Sequence, residues 1–240
     1  MAEHFRGGDP SHLPNRRGGA PGDPDRLPRQ RRGTTPQMHG RYPDWDVLSQ
    51  AEHWDEVTRK VVLERVEKVP PFRFFGEEEQ RTLKAFCDAV TAQDREPRIP
   101  VLSMIDAKLH AGQLDGFQFA DMPDDRDLWR IVARRLDEEA AAAGGHDFAA
   151  LSPEAQRQIV DRFAKGKLEW EGLDVPKAWS VVTRAILAAF YSHPWAWNEI
   201  GFGGPAYPRG YAALGSKEPW EPSPAFELDP VVDTRERGLE

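Results

Sequence analysis

The sequence predicts a mainly α-helical protein: a single compact helical domain with a long ordered C-terminal loop rich in Gly, Pro and aromatic residues, flanked by disordered tails. Three observations carry this. Apolar residues recur at helical spacing between about Arg41 and Gly215. Helix start signals stand in front of those runs. No run alternates apolar and polar residues for long enough to make a sheet. The expected division is a tail rich in Arg, Gly and Pro over residues 1–40, a helical domain over 41–215, and an acidic, Pro-containing tail over 216–240.

Ser49 and Glu52 have the S-x-x-E spacing of a capping box, and Trp54, Val57, Val61 and Val62 come next as the apolar face of the first helix. Pro70-Pro71 ends it, because proline clashes with the preceding turn and brings no N–H. Phe72-Arg73-Phe74-Phe75 then reads as an extended aromatic strip or a short strand. Gly76 precedes Glu77-Glu78-Glu79, three carboxylates placed where the positive end of a helix dipole favours them. Leu83, Phe86, Cys87 and Val90 share a face behind them. A shorter helix is expected to begin near Pro100 with Leu102, Ile105 and Leu109 inward, and Asp106 on it reads as an exposed or a capping carboxylate.

A polar connection, GQLDGFQFADMPDD, leads to a longer helix carrying Leu128, Trp129, Val132 and Leu136. Ser152-Pro153-Glu154 is a start signal with the N-cap, the N1 proline and the first-turn acid all in order. Ile159, Val160 and Phe163 face inward from that helix, which Gly166 ends. Asp174 and Pro176 open the last long helix, with Trp179, Val182, Ile186, Leu187 and Phe190 on its inner face. Trp129, Trp170 and Trp179 fit core positions, where each ring N–H needs a partner.

That helix runs into YSHPWAWNEIGFGGPAYPRGY, residues 191–211. Six aromatics, four glycines and three prolines in 21 residues are too many breakers for a helix interior and too many rings for a solvated linker. The segment is expected to be an ordered loop, its rings buried either in its own domain or against another protein. Glycines at 201, 203 and 204 allow close backbone approach, and Pro205 and Pro208 limit the entropy lost on docking. His193, Trp195, Trp197, Asn198, Phe202, Tyr207, Arg209 and Tyr211 are the candidate interface residues, because Trp and Tyr bury much area at little entropic cost.

Other chemistry has thin support. The sequence holds no G-x-G-x-x-G after a strand, no G-x-x-x-x-G-K-[ST] and no H-E-x-x-H. His193 and Glu199 stand six apart across Pro194, so they do not share a helix face as metal ligands would. The structural alternative has His193 bonded to a backbone carbonyl and Glu199 paired with Arg209. Cys87, the single cysteine, lies on an apolar stripe and reads as a buried core thiol; alone it forms neither an internal disulfide nor a multi-cysteine metal site. No catalytic, metal-binding or cofactor-binding residue is assigned.

A net charge of −8 speaks against a nucleic-acid partner, and no stretch approaches the ~18 apolar residues of a membrane span. Arg16-Arg17 and Arg31-Arg32 resemble twin-arginine export pairs, but GGAPGDPDRLP and GTTPQMHG after them lack an apolar h-region of about 7–15 residues. A basic solvated tail is expected instead. Trp220 is expected to pin the start of the acidic tail to the domain.

FRFFGEEEQRTLKAFCDAVTAQD, IPVLSMIDAKL, the helix after FAALSPEAQRQIVDRFAKG, and YSHPWAWNEIGFGGPAYPRGY resemble the gluconate 2-dehydrogenase subunit 3 family, over about Phe72 to Tyr211 and more loosely from Arg41 and through Pro219-Trp220-Glu221. The resemblance implies a small, helical, non-catalytic subunit of an oxidoreductase complex acting on CH–OH groups. Its large partner is an FAD-dependent enzyme of the glucose–methanol–choline (GMC) type that oxidises sugars, sugar acids or polyols, often with a multihaem cytochrome c subunit as acceptor. FAD and the catalytic base then belong to that large subunit, and the small one aids its folding, stability and, in many cases, export. Exported members begin with a twin-arginine signal; without an h-region here, a cytoplasmic pairing is expected, with periplasmic location only if a partner carries the chain. Two other readings stay open: a stand-alone enzyme using His193, Asn198 and Glu199, with or without a metal, and an assembly or export chaperone that leaves the mature complex.

Overall fold

The computed structural model describes residues 47–94, 96–113, 118–200, 202, 204 and 205. The expected tails and Tyr207, Arg209, Tyr211 and Trp220 lie outside these. Among the described residues there are seven α-helices and no strand: α1 Glu56–Glu67, α2 Glu77–Val90, α3 Val101–His110, α4 Asp125–Ala142, α5 Pro153–Ala164, α6 Val175–Tyr191 and α7 Pro194–Ile200. Two 3-10 helices, Val47–His53 and Phe148–Ala150, complete the order. The helical class is as the sequence predicts. Backbone packing divides the described residues into two units, a middle unit of 69–94 and 99–190 and an end unit of 47–68, 96–98 and 191–205.

In the middle unit α2 is the hub, packed against α3, α4, α5 and the second 3-10 helix. Its apolar stripe explains this. Leu83, Phe86 and Cys87 are buried, and the Phe86 ring meets Phe148, Phe163 and Trp179 at centroid distances of 6.3, 6.0 and 6.4 Å. These edge and stacked contacts add directional energy to the area buried. Burial pushes the Cys87 thiol well above its ordinary pKa, as expected of an inert core cysteine. Trp129 and Trp170 are buried, and the Trp170 Nε1–H donates to Glu139 Oε1 at 3.2 Å. Leu187, expected inward on α6, is 40% exposed.

The helix ends follow their chemistry. Glu79 reaches back to accept from the Gly76 N–H at 2.9 Å, the carboxylate half of a capping box. Ser152 Oγ accepts from the Ala155 N–H ahead of Pro153 at the first position of α5. The end of α5 is a Schellman turn, with the Gly166 N–H on the Phe163 carbonyl and the Lys167 N–H on that of Arg162. The turn needs a left-handed residue, and Gly166 supplies it at φ +63°. Asp174 Oδ1 accepts from the Lys177 N–H at the start of α6.

The structure decides between the two readings of Phe72–Phe75 and corrects that of Asp106. Phe72–Phe75 is not a strand, and Asp106 is neither exposed nor at a helix end. It lies inside α3, fully buried, and accepts from the backbone N–H groups of Arg73 (2.7 Å), Phe74 (3.0 Å) and Phe75 (2.9 Å). One carboxylate thus replaces the strand partner that the aromatic strip would have needed. Phe74 is then held beneath the guanidinium groups of Arg126 and Arg130, 5.0 and 4.4 Å from its ring centre.

In the end unit, α1 starts later than the capping-box spacing predicts. Residues 47–53 form a 3-10 helix, Trp54 is a bend, and Asp55 is the N-cap, its Oδ1 accepting from the Thr58 N–H at 3.0 Å. The break rotates Trp54 out of phase with α1. Trp54 and Val62 are buried while Val57 and Val61 are 70% and 46% exposed, so the four do not share a face.

Candidate functional site

The segment singled out by its composition begins in α6 and turns once. Its first part is then a helix, α7, where a loop was expected. Proline and helix are compatible here because Pro194 occupies the first helical position, which has no intrahelical acceptor for an N–H. His193 caps this helix. Its carbonyl accepts from the Ala196 and Trp197 N–H groups at 3.0 and 3.4 Å, and its ring Nδ1 accepts from the Trp195 N–H at 3.2 Å. The imidazole is buried and its edge meets the Trp195 ring at 4.8 Å. As an acceptor, Nδ1 is unprotonated, and its lone pair points to the helix start.

The turn between α6 and α7 is held from two sides. Trp197 Nε1–H donates to the Tyr191 carbonyl at 2.6 Å, and Arg65 Nη1 of α1 donates to the Ser192 carbonyl at 2.7 Å. Burial lowers the pKa of this half-buried guanidinium from its usual high value. Asn198 is buried, and its Oδ1 accepts from the Val47 N–H at 2.7 Å across 151 residues of sequence. Trp197 joins Val47, Trp54 and Val62 in one hydrophobic cluster, with Leu48 and Ala51 against it.

After α7 the Phe202 N–H returns to the Trp197 carbonyl at 2.9 Å, and the Phe202 ring meets the Trp197 ring edge-on at 5.5 Å. Gly204 has φ +87° and approaches the cluster closely: a Cβ there would lie 2.8 Å from Val47 Cγ2 and 3.1 Å from Trp54 Cζ2. This position requires glycine for both reasons.

The structure therefore sorts the candidate interface residues. His193, Trp197 and Asn198 are buried and hold the chain's own fold. Trp195 is half-buried, and Phe202 is 44% exposed. Tyr207, Arg209 and Tyr211 lie outside the described residues, and so do the Glu199 side chain and its expected pairing with Arg209. Four exposed apolar residues of this unit escaped the sequence reading as surface groups: Tyr191, Ile200, Val57 and Val61. An exposed hydrophobe on a helix carries no local signal; only the packing of the opposite face reveals it. Among the described residues no group of three His, Cys, Asp or Glu side chains is placed to hold a metal ion, and no helix is long and apolar enough to cross a membrane.

The described residues thus define a helical protein whose α6–α7 turn is capped and bonded from within, with the Tyr191 and Phe202 rings exposed. The chain is a member of the gluconate 2-dehydrogenase subunit 3 family, whose model matches residues 77–204. That match runs from the first turn of α2 to Gly204, more than half of the chain; the aromatic strip before it and Tyr207 to Tyr211 after it lie beyond the matched residues. The family is named for a subunit of gluconate 2-dehydrogenase, and that name implies partner chains. No curated protein and no solved structure matches the chain.

Proposed function

We propose that this chain is the non-catalytic small subunit of a dehydrogenase complex, and that it binds and stabilises a large FAD-dependent partner of the GMC type acting on sugars, sugar acids or polyols. Membership of the subunit 3 family carries the reading. The site adds physical support: His193 and Asn198, the groups best suited to chemistry in this segment, are engaged in capping α7 and anchoring Val47. In this reading the flavin and the catalytic base belong to the large subunit, and no residue of this chain is assigned to either.

The docking surface assigned to this chain is drawn from the exposed part of the segment, Tyr191, Ile200 and Phe202, with half-buried Trp195. Large rings and aliphatic groups left in water favour association because their burial is worth about 25 cal/mol per Å². The test is to express the large flavoprotein subunit with and without this chain. Co-elution and higher yields of soluble, FAD-loaded enzyme in its presence are expected. A flavoprotein equally soluble, flavin-loaded and active alone, and never co-eluting with this chain, would sink the proposal.

A further inference from the structure

We infer that residues 47–67 and 191–200, with 202, 204 and 205, form a clasp that opens and closes as one cooperative unit, apart from α2–α6. The inference concerns the isolated chain and does not depend on the function proposed above. It rests first on how the clasp is built. Its core is one cluster, Val47, Trp54, Val62 and Trp197, drawn from the first 3-10 helix, the bend after it, α1 and α7. No one of these elements can bury its own apolar residue without the others.

The polar contacts have the same property. Asn198 satisfies the Val47 N–H, Arg65 satisfies the Ser192 carbonyl, and Gly204 seats its backbone against Val47 and Trp54. Each contact joins a residue of the first segment to one of the second, so detaching either segment breaks all three at once. Two peptides that satisfy each other's buried groups come apart together and do not fray singly.

The second support is the contrast in burial. Among the described residues, the buried hydrophobic side chains of the clasp are Val47, Trp54, Val62, Ala196 and Trp197; the other 27 of 32 belong to the middle unit. The two sets of buried side chains lie in separate units, so opening the clasp exposes its own cluster and not the core of α2–α6.

Amide hydrogen exchange on the full chain tests this. Peptides from α1 and from α7 are expected to exchange through a common opening, at one shared opening rate that differs from that of α2 and α4. Asn198→Ala, which leaves the Val47 N–H buried without its acceptor, should accelerate both groups by the same factor, about tenfold or more, with α2–α6 unchanged. Gly204→Ala strikes a second contact between the same two segments and should give the same pattern. Acceleration confined to peptides around the substituted residue would overturn the inference. So would equal acceleration of α2–α6, or loss of the whole fold in both variants, because the clasp would then not open apart from the middle unit.

Discussion

Asp106 shows how much one side chain can decide. A buried carboxylate is costly unless hydrogen bonds replace its water, and here three backbone N–H groups of Arg73, Phe74 and Phe75 do so. Removing it strands those donors, each worth about 1–3 kcal/mol if left unsatisfied. Asp106→Ala should therefore lower stability by about 3–5 kcal/mol, read by urea unfolding of the purified chain. Asp106→Asn keeps an oxygen acceptor and should cost roughly half as much. Equal, small losses in both would show that water takes over the acceptor role. This residue was not legible in the sequence, because its partners lie 31–33 positions upstream and nothing in Met-Ile-Asp-Ala signals them. The same holds for His193. The capping role of its ring depends on Pro194 starting a helix, which a segment dense in Gly and Pro conceals.

Helices with strong local chemistry at their ends were legible. Ser152-Pro153-Glu154 begins α5, Gly166 closes it, and the acids after Gly76 begin α2, each within a residue or so of the expected place. The first helix was misplaced because two start signals compete: Ser49-x-x-Glu52 has the capping-box spacing, but Asp55 holds the N-cap. Trp54, on the far side of that break, made the apolar period look continuous. The second 3-10 helix, Phe148–Ala150, has a comparable carboxylate at its start. Asp147 is largely buried, which by itself would raise its pKa, yet hydrogen bonds from the Ala150 N–H and His146, with Arg81 at 2.9 Å, outweigh burial and hold it below its ordinary value. A carboxylate with a depressed folded-state pKa stabilises the fold above its unfolded value of about 3.9, and that contribution disappears as pH falls through the folded value. Asp147→Asn, which retains a capping oxygen, should lower the melting temperature at pH 7, and the gap from the native protein should close below about pH 4. A gap of constant size down to pH 2 would mean that the charge contributes nothing and that the loss is one of packing.

Sequence composition identified the segment after α6 as the informative one but could not divide it between the chain's interior and its surface, because tryptophan and phenylalanine serve both. The geometry makes that division. Trp197 is 7% exposed inside a four-residue cluster, whereas Phe202, touching it edge-on, is 44% exposed. The two neighbouring rings should therefore respond differently to the same change. Trp197→Ala opens a cavity beside Val47 and Trp54 and should cost about 3–5 kcal/mol of stability. Phe202→Ala removes a ring already half in water and should cost about 1 kcal/mol or less, while weakening association with the large subunit by about tenfold or more if this ring is an interface anchor. Thermal unfolding of the free chain and titration against the purified large subunit measure the two quantities separately. If Phe202→Ala, alone and combined with Ile200→Ala, leaves the affinity unchanged, the docking surface is not this face. The subunit reading would then stand on the family match alone, and the exposed valines of α1, Val57 and Val61, would be the next surface of the same unit to test.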